Sequence, residues 1–333
     1  MDKLKIGVIG AGHLGKFHIK NLKEIETCDF VGFYDVNEDT AKKIQEEFNV
    51  KAFVSLDELL ENVDAVSIVV NTKYHYDVSK YCLNKGKHIF LEKPITETIE
   101  QAEELIQLAN SKNLKIQVGH IERFNPGLLS LNNFKLNPAY IQSERLAPFN
   151  PRGTDVSVVL DLMIHDIDLV LSLIKRPIVD IKASGVEIIT GQIDIATARI
   201  EFDNAAVANI TASRISQKRM RKMRIFQKDA YIVIDFNQGI SEIISLEDDM
   251  NNANPEAICY GELGVGDQKK YVYFEQSPKV EINAMKYELE LFIKSIVENT
   301  TPVVTGEDGL RALKVANEII NKIQESIKRY ENG

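Results

Sequence analysis

Short apolar runs and longer helical patterns alternate through residues 1–120, which predicts a parallel α/β sheet. The runs read as strands are Leu4–Ile9, Phe30–Tyr34, Ala52–Val54, Ala65–Val70, His88–Leu91 and Lys115–Val118; the helical stretches include Tyr76–Leu83 and Ile99–Ser111. Val158–Ile174 then reads as one strongly apolar helix. Beyond it the rhythm changes to long strand-like runs, Val179–Ile189, Ala196–Glu201, Ala206–Ile215 and Tyr231–Phe236, with a turn signal at Asp203-Asn204. That stretch predicts a large, mostly antiparallel sheet. Two helices, Ala284–Glu298 and Gly306–Arg329, close the chain on either side of the break at Thr301-Pro302.

The first strand runs directly into Gly10-Ala11-Gly12-His13-Leu14-Gly15 and then a helical pattern. Gly10 permits the tight turn, Gly12 lets the backbone approach a pyrophosphate, and Gly15 lets helix and strand pack closely. The N–H groups at the helix start then face the phosphates. Asp35 ends the second strand, about twenty residues on, where a carboxylate takes the adenosine ribose hydroxyls. It also selects the cofactor. About 4 Å from a ribose 2′-phosphate it would be repelled by roughly 4 kcal/mol per unit charge. No arginine follows it, since the next residues are Val36, Asn37 and Glu38, so NAD is expected and not NADP.

Composition narrows the setting. The 333 residues, 44% of them hydrophobic, suffice for two domains with real cores. The expected division is a dinucleotide-binding domain over 1–122 and a substrate-binding and oligomerisation α/β domain over 123–333, whose last helices can return to the first. No apolar run has the length of a membrane span, and no secretory signal is visible before the first strand. Cys28, Cys82 and Cys259 are odd in number and widely spaced, and read as buried thiols of a reducing, cytoplasmic compartment. With 49 acidic and 40 basic residues the net charge is −9, which argues against nucleic acid or a membrane surface as partner. The six histidines are scattered without metal-ligand spacing, so no metal is expected.

Ligands of an open parallel sheet sit beyond the carboxyl ends of its strands. Polar residues gather there: Asn71 and Thr72, with His75 nearby; Glu92-Lys93-Pro94; and His120 with Arg123. In the apolar helix, Asp161, His165 and Asp168 recur at spacings of four and three, which places them on one stripe. A stripe facing water would account for them, but Val159–Ile174 holds no lysine, glutamate or asparagine, and ionisable groups in such a helix are costly unless paired or used. Arg145 and Arg152, which flank the segment leading into this helix, are candidate anion ligands. Around them lie further bases, Arg214, Lys218, Arg219, Arg221, Lys222 and Arg224; a charged strand that resists edge pairing accounts for most of that run.

The fingerprint at Gly10–Gly15, Glu92-Lys93-Pro94, the Asp161, His165 and Asp168 pattern, and the segments Glu288-x-x-x-Phe292 and Thr305-Gly306-Glu307-Asp308-Gly309 together resemble the Gfo/Idh/MocA oxidoreductase family. One departure is Thr72-Lys73, where the family often has Thr-Pro. The resemblance implies a Rossmann domain plus an α/β domain with an open sheet that packs on another subunit as a homodimer or homotetramer. The residues expected at NAD are Gly10, Gly12, His13, Leu14, Gly15, Asp35, Asn71, Thr72, His75, Glu92 and Lys93. The resemblance places Lys93 beside nicotinamide and substrate, and Asp161 and His165 at the reacting hydroxyl; His120, Arg123, Arg145, Arg152 and Asp161 are the candidate substrate ligands. Val118–Pro126, Leu160–Leu171 and Ser213–Arg219 resemble, more narrowly, members that oxidise the 3-hydroxyl of UDP-N-acetylglucosamine. Either His165, whose side chain ordinarily titrates near about 6.5, or Lys93 can serve as base. The alternatives are a dehydrogenase of a free polyol, inositol or sugar phosphate, and a non-catalytic binder that regulates a partner.

Overall fold

A computed structural model describes residues 3–150, 156–249, 256–266, 269–278 and 280–331. They fall into two compact units, Met1–Ile121 with Asn283–Lys314, and Glu122–Ile282 with Val315–Gly333.

The first unit is built on five parallel strands, β1 (Leu4–Ile9), β2 (Cys28–Tyr34), β3 (Ala65–Ile68), β4 (His88–Glu92) and β5 (Ile116–Gly119), in the order β2-β1-β3-β4-β5. β1 lies inside the sheet, so Ile6, Val8 and Ile9 on both its faces are buried, which is why it reads as an unbroken apolar run. Several of its helices start where side chains satisfy their first N–H groups. Asn37 caps Glu38–Phe48, Ser55 caps Leu56–Glu61, and Thr98 with Gln101 forms a capping box on Ile99–Ser111. Ala284–Val297 adds Leu289, Phe292 and Ile293 to the core formed by Ile6, Ile19, Leu22, Phe33 and Phe90. Phe292 meets Phe90 edge to face at 5.9 Å between ring centres. The expected strand Ala52–Val54 shrinks to a single bridge from Ala52 to Phe33, because Ser55 immediately caps a helix.

The second unit carries a nine-stranded sheet of β6 (Tyr140–Leu146), β7 (Ile178–Glu187), β8 (Ile193–Phe202), β9 (Val207–Ser213), β10 (Met220–Gln227), β11 (Ala230–Asp235), β12 (Ile240–Glu247), β13 (Ile258–Leu263) and β14 (Lys270–Gln276). Their order is β13-β14-β12-β11-β10-β6-β9-β8-β7, antiparallel except for the β6–β9 pair. β8 shows the one-sided pattern of an open sheet: Ala196, Ala198, Ile200 and Phe202 are buried, while Thr197 and Arg199 face water. The apolar helix lies against β6 and β9. It is not uniform, since Val159–Met163 is wound as a wider π turn and Ile164–Leu173 as α-helix. β10 is an interior strand, so its basic run is not the edge device expected from sequence; cross-strand acids account for part of it, as Lys222 pairs with Asp235 and Arg224 with Glu144.

Candidate active site

In the first unit the glycine-rich turn follows β1. Gly10 has φ +92°, and a Cβ there would lie 2.6 Å from the Val69 carbonyl oxygen; one on Gly15 would strike the Gly10 carbonyl. A Cβ on Gly12 would meet nothing within 4 Å, so the turn is open on the side where a pyrophosphate approaches. Asp35 holds this loop shut. Its Oδ2 accepts from the Ala11 N–H at 2.6 Å and its Oδ1 from the Asn37 N–H at 2.8 Å. Beside it lies a cavity of about 480 Å³ lined by Gly10, Gly12, Asp35, Val36, Asn71 and Tyr74. The carboxylate and the open glycine at one cavity fit the adenosine end of NAD. His13 and Leu14 are exposed at the head of the turn, and the His13 ring meets Phe17 edge-on at 5.6 Å. Thr72 opens the short helical turn after β3.

His75 does not face this cavity. It is buried, with Nδ1 at 2.8 Å from the Pro94 carbonyl and Nε2 at 3.1 Å from that of Val70. The side chain ties the loop after β3 to the turn after β4 instead of offering itself to a ligand. Burial lowers its pKa, against the pull of the two carbonyls.

Sequence reasoning missed His18. It occupies the buried face of Gly15–Lys23, with Nδ1 2.8 Å from Ser67 Oγ on β3 and Nε2 3.0 Å from Glu92 Oε1 at the end of β4. A carboxylate only accepts, so Nε2 donates to Glu92, while Nδ1 and the serine hydroxyl share the second bond. Glu92 is also crowded from β5, where a Cβ on Gly119 would come 2.9 Å from its carboxylate. Lys93 follows, half-buried and joined to Pro94 by a cis peptide bond. The available signal was a histidine three residues after the last fingerprint glycine, in step with buried Ile19 and Leu22.

In the second unit Asp161 and His165 are half-buried, Asp161 within the π turn and His165 one residue into the α-helix. Wide turns of this kind recur at functional sites. Ser157 opens the helix: its carbonyl accepts from the Leu160 and Asp161 N–H groups, and its hydroxyl from Val159. Asp168, expected on the same stripe, is 1% exposed and takes a two-pronged bond from Arg123, 2.7 and 2.6 Å. Arg123 is thereby committed to the helix. Arg145 is a correction of the same kind. Instead of awaiting a phosphate it is buried, donating to Asp166 at 2.6 and 3.2 Å and to Glu122 at 2.7 Å. Ser143 adds a bond to Asp166 at 2.7 Å. Burial alone would lower the Arg145 pKa, but Asp166 and Glu122 raise it overall, so the group stays charged. His120 is buried, and Arg152 lies outside the described residues. Among the described residues, no three His, Cys, Asp or Glu side chains gather as a metal site.

The first unit has the fold and the open glycine turn of a dinucleotide-binding domain, and the second is an open sheet carrying an apolar helix with two half-buried ionisable residues, Asp161 and His165. Residues 4–120 match the model of the oxidoreductase family with an NAD-binding Rossmann fold, and residues 138–233 match the GFO/IDH/MocA C-terminal domain. The chain belongs to the Gfo/Idh/MocA family of NAD-dependent dehydrogenases acting on CH–OH groups. It is 35% identical over 330 residues to the UDP-N-acetylglucosamine 3-dehydrogenase of Acidithiobacillus ferrooxidans, covering 99% of this chain and all of the relative. A solved structure of that enzyme superposes with a TM-score of 0.87 at 34% identity, covering 98% of this chain and 99% of the other. The myo-inositol 2-dehydrogenase of Thermotoga maritima is 26% identical over 331 residues, 93% of each chain.

Proposed function

We propose that this NAD-dependent dehydrogenase oxidises the 3-hydroxyl of UDP-N-acetylglucosamine or a closely related nucleotide-sugar to the ketone. The observation that carries the substrate is the 35% identity over 99% of the chain to an enzyme named for that reaction. Weaker likeness to the inositol enzyme supports a polyol as second choice.

The glycine turn and Asp35 would hold NAD, which would supply the hydride acceptor for the carbinol carbon. His165 takes the hydroxyl proton, and proton transfer to a placed base is worth about 10²–10⁴-fold. Asp161, four residues earlier, orients the imidazole or binds the sugar. Lys93 holds the oxygen as the carbonyl forms, and its ammonium favours the negative charge that develops there. Asn71, Thr72, His13 and Leu14 complete the NAD site, and His120 lies toward the sugar.

The same reading extends to assembly. The Phe226 ring contacts those of Tyr140 and Tyr231 on the sheet, 5.5 and 4.8 Å between centres, and Tyr260 stacks on Phe274 at 5.5 Å. Such an aromatic face suits a homodimer or homotetramer formed through the sheet, checked by light scattering. A reducing cytoplasm fits the free thiols Cys28 and Cys82, which are buried; Cys259, expected to be buried, is exposed. Among the described residues no helix is long and apolar enough to cross a membrane.

NADH absorbance is the direct test, with NAD⁺ and UDP-N-acetylglucosamine beside inositol, glucose and glucose 6-phosphate, and an aminotransferase with amino donor to draw off ketone. Signal with the UDP-sugar alone, lost in His165→Ala, is expected. Signal only with a free sugar or polyol removes the nucleotide-sugar reading.

A further inference from the structure

The basic residues around β10 are not equivalent. Lys222 Nζ reaches Asp235 at 3.1 Å and Arg224 Nη1 reaches Glu144 at 2.6 Å. Arg214 is buried, with Nη2 on the Val156 carbonyl at 2.5 Å. Arg221 stands apart from these. The β6–β10 register sets it directly opposite Arg145, and like charges in opposed positions destabilise a sheet.

Among the described residues Arg221 makes one ion pair, to Glu122 Oε1 at 3.5 Å. Arg145 already holds that oxygen at 2.7 Å. The Arg145 side chain is 2% exposed and that of Arg221 41%, so the first belongs to the core while the second reaches water. Arg219, two residues earlier, is exposed and makes no ion pair among the described residues. Burial, then Arg145 and, more weakly, Arg219 press the Arg221 pKa down, against the opposing pull of Glu122 and Asp166. Among the described residues three guanidiniums, Arg145, Arg219 and Arg221, are thus set around two carboxylates, Glu122 and Asp166. One positive charge is left over beside Asp166, the residue that follows His165.

We propose that Arg221, assisted by Arg219, holds the diphosphate of the nucleotide-sugar. The proposal rests on the nucleotide-sugar reading above. A half-exposed guanidinium offers a planar fork matched to phosphate oxygens, and the bound anion relieves the repulsion between the paired arginines. Arg145, which the sequence offered for this task, supplies the repulsion and not the contact.

Calorimetric titration of wild type, Arg221→Met, Arg221→Lys and Arg219→Met with UDP, uridine and UDP-N-acetylglucosamine tests this. Arg221→Met is expected to weaken UDP by about tenfold or more while leaving uridine within about twofold, as loss of a charged hydrogen bond implies. Arg221→Lys recovers part of the affinity, and Arg219→Met shows a smaller loss. Without ligand, the melting temperature of Arg221→Met holds or rises, because a like-charge contact has gone; a purely structural arginine would give a fall instead. UDP affinity unchanged in Arg221→Met overturns the proposal. A wild type that binds neither UDP nor the UDP-sugar overturns it together with the nucleotide-sugar reading. UDP binding that depends on Arg221, in a protein that oxidises no UDP-sugar, upholds the subsite and removes only the reaction assigned to it.

Discussion

Glu92 and Asp166 are both carboxylates that stand next to a residue assigned to the reaction, Lys93 in one unit and His165 in the other. Glu92 is held by a chain running from Ser67 through the His18 ring, at 2.8 and 3.0 Å. Asp166 is held by a charged fork from Arg145 and the Ser143 hydroxyl. The difference follows from what each one joins. In the first unit one imidazole on Gly15–Lys23 reaches both β3 and the end of β4. The second unit must fix a helix across a sheet, and a buried guanidinium does so with bonds to two elements at once. The first arrangement joins one helix to two strands through an imidazole, while the second sets a guanidinium between two carboxylates.

The two carboxylates differ most in what their loss does to stability. Asp166→Ala leaves Arg145 buried with Glu122 as its remaining acid, and is expected to destabilise the second unit by about 3–5 kcal/mol. Arg145→Met combined with Asp166→Leu should be far milder, because it strands no charge. Denaturant midpoints followed by hydrogen exchange in 122–282 check this; equal losses in the two variants would show that the fork's charge is not what matters.

His18→Phe should act on turnover. Removing the donor to Glu92 is expected to lower kcat about tenfold, with NAD affinity within about threefold and a shifted pH profile. His18→Gln, which keeps a donor, recovers part. Because the chain ends at fully buried Ser67, it has no outlet for a proton and serves to orient. A loss of NAD binding with kcat intact would contradict that role.

The smallest effect sorts the units by acid. The pKa of His75 is depressed by burial, so the unfolded chain binds more protons below its ordinary value; the stability it lends is full above pH of about 6.5 and falls as pH drops below that. Asp194 is depressed to about 2: burial raises it, but N–H donors from Ile189, Ile188 and Thr190 and the Thr190 hydroxyl win. Its contribution is full above about pH 4 and is lost toward pH 2. Hydrogen exchange against pH should loosen the loop around His75 before the turn at 188–194; the reverse order would refute the assignment.

How far these features were legible depended on what the buried positions hold. β1 and the helix Ile99–Ser111 were read to the residue, since apolar runs and a capping box announce both. β6 was not, because its inward positions are Ile141, Ser143 and Arg145, and two of the three belong to the ion network. The inward face of that strand looks polar for the very reason that it anchors the helix. The fingerprint and Asp35 were visible because backbone geometry demands glycine and a ribose demands a carboxylate. The pairings of Arg123 with Asp168 and Arg145 with Asp166 were not, since each joins residues far apart whose partners only the fold selects.

The place of β6 in its sheet also bears on how the chain is made. β6 lies between β9 and β10, and the Arg224–Glu144 pair that helps seat it spans 80 residues. A ribosome adding roughly 5–20 residues per second leaves β6 without either neighbour for several seconds after it emerges. During that interval Arg145 is a solvated cation on an unpaired strand, which keeps the nascent segment from pairing with other chains until its own partners arrive.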